Sequence, residues 1–291
     1  REVEVRFHIF PTVFGEKVNF RIPKNQDIPK LHRLGLSPKT ADFLSVMMQR
    51  LEGGVVIAGP TGSGKTTTLY SILDKLSERQ LSIVSLEDPV EKFLPGVSQT
   101  DIAQLKGIGY AKSLRDLMRQ DPDVILIGEV RDSESAKVAL EAASTGHLVL
   151  FSIHAPSTVS AIERLKHLSG DPLLTSQSLS LVVAQRLIPK LCLKCKVVNL
   201  RGSKTLSAAV YQRVGCTTCS HSGYLGRILI DESLFVTKSV RNKILRATLF
   251  EDELFGKGYY HSIAESVHRG IVGGVIDIET GKRVVHFDPK E

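Results

Sequence analysis

An α/β fold with a parallel sheet and a nucleotide site at one end is predicted by two features of this 291-residue chain. Four short apolar runs, residues 55–58, 83–86, 124–127 and 148–153, lack polar alternation. That is the pattern of strands buried on both faces of a parallel sheet. Each run also ends in polar chemistry: Gly59, Glu87-Asp88, Gly128-Glu129 and His154, in that order. In an open α/β sheet ligands bind beyond the carboxyl ends of the strands, so four such ends can converge on one ligand.

Taken in order, the chain opens on the alternation Val3, Val5, Phe7, Ile9, which with residues 16–22 reads as a β-hairpin turning through Pro11-Thr12-Val13-Phe14-Gly15. It starts at Arg1 rather than Met, so the expectation is a fragment of a longer polypeptide. Residues 23–30, rich in Pro, Lys and Asn, are the candidate linker. Ser37 can cap a helix that has Pro38 at its first position, which predicts a helix over residues 37–51.

The first apolar run leads into Gly59-Pro60-Thr61-Gly62-Ser63-Gly64-Lys65-Thr66, a complete GxxxxGK(S/T) loop, followed by a helix-compatible stretch that begins at Thr67. Glycines let successive backbone N–H groups turn inward onto phosphate oxygens with no Cβ in the way. Lys65 adds a cation for the β- and γ-phosphates, and the Thr66 hydroxyl suits Mg²⁺. The helix beginning there directs the positive end of its dipole at the same oxygens. ATP with Mg²⁺ is the expected ligand of residues 59–67.

Glu129 ends the run VILIG, where a carboxylate can reach the Mg²⁺ shell or the water that attacks the γ-phosphorus. Glu87, in SLEDPVE, holds the equivalent place on another strand, with Asp88 and Glu91 as polar supports and Pro89 fixing the turn. Either glutamate fits the part of general base on sequence grounds. Further along, residues 173–187 read as an amphipathic helix and 192–227 as a loop-rich insert. The pattern beyond Asp231 reads as helical to about Arg269, and the tail from Ile271 as a hairpin turning at Glu279-Thr280-Gly281-Lys282 between residues 275–278 and 284–287.

Composition narrows the function classes. No apolar run approaches the ~18 residues that span a bilayer, and no signal-peptide pattern opens the chain. The 38 Lys and Arg against 31 Asp and Glu give +7, but the basic residues are dispersed, and there is no Trp. No dedicated nucleic-acid surface is expected from that arrangement. The four cysteines form two CxxC pairs, Cys192/Cys195 and Cys216/Cys219, separated by 20 residues. That spacing suits a tetrahedral Cys₄ zinc site in a reducing compartment.

Four motifs in order, GPTGSGKTTTLY, SLEDPVE, RQDPDVILIGEVRD and TGHLVLFSIH, make the chain resemble the ATPases of type II secretion and type IV pilus assembly over about residues 5–240. The resemblance implies a RecA-like P-loop NTPase core over residues 31–291, with residues 1–30 as the end of an α+β N-terminal domain. It implies that Glu129 is the catalytic carboxylate, that Glu87 is a metal or water partner, and that His147 and His154 line the nucleotide region. Arg6 and Arg21 match two arginines that reach the γ-phosphate when the N-terminal domain closes, and Arg131 is a further candidate. A tetracysteine module, here residues 188–230, marks the assembly and secretion branch.

The expected protein is thus a homohexameric ATPase at the cytoplasmic face of the bacterial inner membrane. It would associate peripherally with the membrane, meet a membrane platform protein, and power assembly or export of pilin-like subunits. A nucleic-acid-translocating P-loop ATPase is the alternative that the basic charge allows. A nucleotide sensor without turnover is disfavoured, since Glu87 and Glu129 are both present.

Overall fold

Strand β1 (Arg6–Thr12) pairs antiparallel with β2 (Gly15–Arg21) in a two-stranded sheet, Thr12 opposite Gly15 at the turn and Arg6 opposite Arg21 at the open end. The computed structural model describes residues 6–21, 27–102, 105, 109–206 and 208–285. The side chains of Arg6 and Arg21, residue 22, and residues 23–26 of the expected linker lie outside what is described. Helix α1 (Pro38–Arg50) starts as the sequence requires, with Ser37 Oγ accepting from Thr40 N at 3.1 Å and Pro38 in the first turn.

The αβ alternation follows as β3 (Gly53–Ala58), α2 (Lys65–Leu76), β4 (Ile83–Glu87), β5 (Ser98–Asp101), α3 (Tyr110–Met118), β6 (Val124–Ile127), α4 (Ser133–Ser144), β7 (Leu148–Ile153), α5 (Thr158–Ser169) and α6 (Pro172–Ser178). Next come β8 (Leu179–Leu191), β9 (Val197–Val198), α7 (Leu200–Leu206), β10 (Tyr211–Gln212) and β11 (Tyr224–Phe235). The chain continues with α8 (Lys238–Leu245), β12 (Tyr260–His261), α9 (Ile263–Val272) and α10 (Ile278–Val284). Among the described residues the main sheet has the order β12-β11-β8-β3-β7-β6-β4-β5. Pairings from β8 to β5 are parallel, and β11 and β12 add an antiparallel edge.

The four apolar runs are β3, β4, β6 and β7, and their side chains alternate between two cores. Val56, Ile125 and Phe151 pack with Leu140 of α4 and Ile162 of α5. Val55, Leu126 and Leu150 face Leu44 of α1 and Ile72 of α2 on the other side. Both faces are covered, which is why these strands show no polar alternation. The β3, β4, β6 and β7 strands run parallel, so their carboxyl ends lie along one edge of the sheet.

Three expectations are corrected. Residues 173–187 do not form one helix: α6 stops at Ser178, and β8 runs on beside β3 with Leu179, Leu181, Val182, Val183 and Ala184 all buried. The run matches helical spacing, but consecutive burial on both faces belongs to a central strand. The segment beyond Asp231 is not continuously helical either, since β11 continues to Phe235 and β12 returns to pair with it. The tail is not a hairpin over its described residues. Asp277 Oδ1 accepts from Thr280 N at 2.8 Å and caps α10 across the expected turn, with Glu279 in the first turn and Lys282 and Arg283 in the last, a charge order that suits a helix dipole. Residues 286 and 287 lie outside what is described.

Candidate nucleotide site

The phosphate loop joins β3 to α2, the place that a strand–loop–helix phosphate site requires. Gly59 and Gly64 have φ of 152° and 90°, and Gly64 is the N-cap of α2. A Cβ on Gly59 would lie 2.5 Å from the carbonyl oxygen of Gln185, so no other residue fits there. Around Gly62 the space is open. Lys65 Nζ donates to the carbonyls of Gly59 and Pro60 at 2.9 and 3.1 Å, folding the ammonium over the loop it serves. Burial pulls its pKa down, and the negative charge of Glu129 opposes that shift.

Glu129 follows β6 directly beyond Gly128, which a hydrogen bond to Leu86 O at 2.9 Å ties to β4. Its side chain is 17% exposed. One carboxylate oxygen lies 2.5 Å from His154 Nε2 and the other accepts from Arg131 Nε at 2.6 Å. Arg131 also reaches Asp88 at 3.6 Å, and its bond to Glu129 raises its already high pKa. Thus His154, Arg131 and Asp88 gather around Glu129, on the same sheet edge as the loop.

Glu87 has a different environment although it holds the same place on β4. It is 3% exposed, and its carboxylate accepts from the Tyr70 hydroxyl, from Ser85 Oγ at 2.7 Å and from Gln99 Nε2 at 3.2 Å. Burial, aided by the bond to Glu87, keeps the Tyr70 phenol well above its usual pKa and therefore a donor. The carboxylate is held by side chains of α2, β4 and β5.

His147, expected to line the nucleotide region, lies at the opposite end of β7 from His154. It precedes β7 rather than following it, and its carbonyl accepts from Gly53 N at 2.9 Å at the start of β3. At ~3.3 Å per residue the length of β3 separates it from the loop by roughly 20 Å. Its Nδ1 lies 3.1 Å from Ala142 O and 3.2 Å from Thr145 Oγ1, an anchored position at the turn after α4.

The four cysteines come together at the far end of the ribbon made by β8 and β11. Their sulfurs all lie within 4.8 Å of one another, with Cys192–Cys216 at 4.0 Å and Cys195–Cys219 and Cys216–Cys219 at 3.8 Å. A tetrahedron of thiolates at ~2.3 Å from zinc has edges of about 3.8 Å, so the donor set fits the metal in number, type and spacing. Burial raises the pKa of Cys219, and bonds from the N–H groups of Cys216 and Gly223 outweigh it, bringing the thiol down to about 6.

A sequence profile described as type II/IV secretion system protein matches residues 1–278. The chain belongs to that family. It is 40% identical over 254 residues to type II secretion system protein E of Klebsiella pneumoniae, covering 84% of this chain and 51% of that protein. It is 38% identical over 256 residues to the type IV pilus assembly ATPase PilB of Thermus thermophilus, covering 84% of this chain and 29% of that protein. With type II secretion system protein HxcR of Pseudomonas aeruginosa it shares 37% identity over 287 residues, 98% of this chain and 60% of the relative. The chain therefore spans less than two thirds of each of these relatives. Among solved structures, the pilus retraction motor PilT with bound ADP superposes with a TM-score of 0.73 at 25% identity, covering 98% of this chain and 73% of PilT. The Legionella pneumophila ATPase DotB gives the same TM-score at 22% identity, over 98% of this chain and 73% of DotB, a likeness of fold.

For this member of the family, sequence reasoning passed over three residues that build the site. Tyr70 and Gln99 fix Glu87, and Gln185 fixes the loop through Ser63 O and Thr68 Oγ1. The signal for Gln185 was present: a polar amide directly after the run Leu181-Val182-Val183-Ala184, wholly buried, must have partners for both ends.

Proposed function

We propose that this chain is the ATP-hydrolysing motor region of a protein that powers type IV pilus assembly or type II secretion of pilin-like subunits. The observation that carries the reading is the convergence, at one sheet edge, of the Lys65 loop with Glu129, Arg131 and His154. The names of the relatives support ATP as the substrate and a secretion or pilus machine as the setting. The whole protein is a homohexamer at the cytoplasmic face of the inner membrane, working against a membrane platform protein. Residues 1–30 end a preceding domain, and residues 31–291 form the ATPase domain with the 188–230 module inserted.

Residues 59–67 bind the phosphates, and the Thr66 hydroxyl holds Mg²⁺, which neutralises charge on the phosphate oxygens. Glu129 is the general base: it is the partly exposed glutamate, it acts electrostatically on Lys65, and Arg131 and His154 hold its two oxygens. Glu87 is a positioning residue, because its buried carboxylate is held by three side-chain donors. Arg6 and Arg21 stabilise transition-state charge. Four cysteines hold one structural Zn²⁺, with no open position for chemistry.

Glu129→Gln keeps size and hydrogen bonding but loses basicity, so ATP still binds while turnover falls by at least ~10²-fold. Lys65→Ala loses both binding and turnover. Steady-state hydrolysis alongside equilibrium binding of ATP·Mg²⁺ separates the two, and wild-type turnover in Glu129→Gln would sink Glu129 as base. Strong stimulation of the wild type by single-stranded DNA would point to the nucleic-acid translocase instead.

A further inference from the structure

One buried side chain ties the phosphate loop to β8. Gln185 is 1% exposed and stands one residue past the pairing of Ala58 with Ala184. Its Nε2 donates to Ser63 O at 3.0 Å, and its Oε1 accepts from Thr68 Oγ1 at 2.9 Å. The direction of the amide follows from chemistry, since a carbonyl oxygen only accepts and the nitrogen must face it. Its backbone oxygen meanwhile abuts Gly59 at the other end of the loop.

A trans peptide is planar, with its C=O and the following N–H pointing in opposite directions. Holding the Ser63 carbonyl toward β8 therefore turns the Gly64 N–H away from β8. Gly64 has φ of 90° and no side chain, so its own conformational preferences leave that peptide free to rotate. An amide donor that must first rotate into place gives up part of its interaction with an anion; one already fixed does not.

We propose that Gln185 is a positioning residue for triphosphate binding, whose side-chain amide fixes the Ser63–Gly64 peptide plane and so presets the Gly64 N–H for phosphate. The inference rests on the nucleotide reading given above. It requires a residue that donates and accepts at once. An ionised Glu at this position only accepts and sets its charge against Ser63 O; Met fills the volume, cannot donate and accepts only weakly.

The test is the dissociation constant of a fluorescent ATP analogue with Mg²⁺, measured on the full chain from about pH 5.5 to 8 and expressed relative to wild type. Gln185→Glu is expected to bind about tenfold or more weakly at the alkaline end. It recovers toward wild type at the acid end, where a protonated carboxyl can donate to Ser63 O. The charged groups around the position are Asp231, its partner in the β11 register, and Lys65 at the head of α2. Burial and Asp231 raise the pKa of such a carboxyl and Lys65 lowers it. Gln185→Met should be weaker by a ratio that stays flat with pH, so the acid rescue separates donation from packing. A flat ratio in Gln185→Glu, or wild-type binding by Gln185→Met, overturns the proposal. Should Gln185→Glu fail to fold, Thr68→Val removes the hydroxyl that orients the same amide and is expected to weaken binding several-fold; wild-type affinity there overturns it equally. Absence of binding by the wild type would instead sink the nucleotide reading itself.

Discussion

Glu232 lies on β11 at 1% exposure, and its carboxylate accepts from Thr158 N at 2.9 Å and from the Thr158 hydroxyl at the head of α5. Burial pushes its pKa up from 4.5 to about 7, the Thr158 bonds oppose that shift, and the charge of Glu251 adds to it. The folded protein therefore holds this proton over a range where the unfolded chain has released it. Between about pH 4.5 and 7 the native state binds more protons, so stability falls as pH rises through that window and levels off above it. The full window is worth about 3 kcal/mol. Glu232→Gln keeps an acceptor for Thr158 and has no proton to lose. The variant should match wild type at pH 4.5, exceed it increasingly up to about pH 7 and hold that lead to pH 8, read as unfolding free energy by urea titration at each pH. Parallel stability curves for the two proteins would show that Glu232 does not titrate in this range.

At the scale of elements, β3, β4, β6 and β7 were legible because burial on both faces leaves an unbroken apolar run, and the loop was legible because phosphate binding demands glycines at set positions. The same rule was available for β8, but Leu179, Val182 and Val183 also fit helical spacing, and only the neighbouring β3 decides between them. The two glutamates could not be told apart from sequence, because Tyr70 and Gln99 reach Glu87 from α2 and β5. Nor could sequence show what the cysteine module leans on. Ile188, Val210 and Ile230 share a core with Val267, Ile271 and Ile276, while Lys196 Nζ donates to Gly274 O at 2.6 Å and the Tyr224 hydroxyl to Asp277 at 2.9 Å. The expectation for Cys195→Ser follows from these contacts. Zinc, near one per chain in wild type, should drop, and hydrogen exchange should accelerate over residues 190–227 and also over 263–284, with ATP binding at Lys65 largely kept. Elemental analysis of chelator-free wild type checks the premise, and a zinc content near zero with four reactive thiols would refute it.

For the molecule as a whole, the element that stands apart is the hairpin carrying Arg6 and Arg21. It forms its own sheet, unpaired with the main one, and leaves Phe7, Phe10 and Phe14 at 65%, 59% and 101% exposure. The main sheet, by contrast, supplies the phosphate loop and Glu129 from strands packed on both faces. A part that moves against such a core contributes most when it closes on developing charge, so the proposed arginines should act on the transition state rather than on ground-state binding. Arg6→Ala and Arg21→Ala, made in the full-length assembled protein, should lower kcat by at least ~10-fold while shifting nucleotide affinity less than that. Normal hydrolysis in both variants would leave the hairpin a purely structural role. Mixing Arg6→Ala subunits with Lys65→Ala subunits then reports on geometry. Each variant retains what the other lacks, so activity above the sum of the two separate preparations puts the arginine at a neighbour's site, and simple additivity puts it at its own.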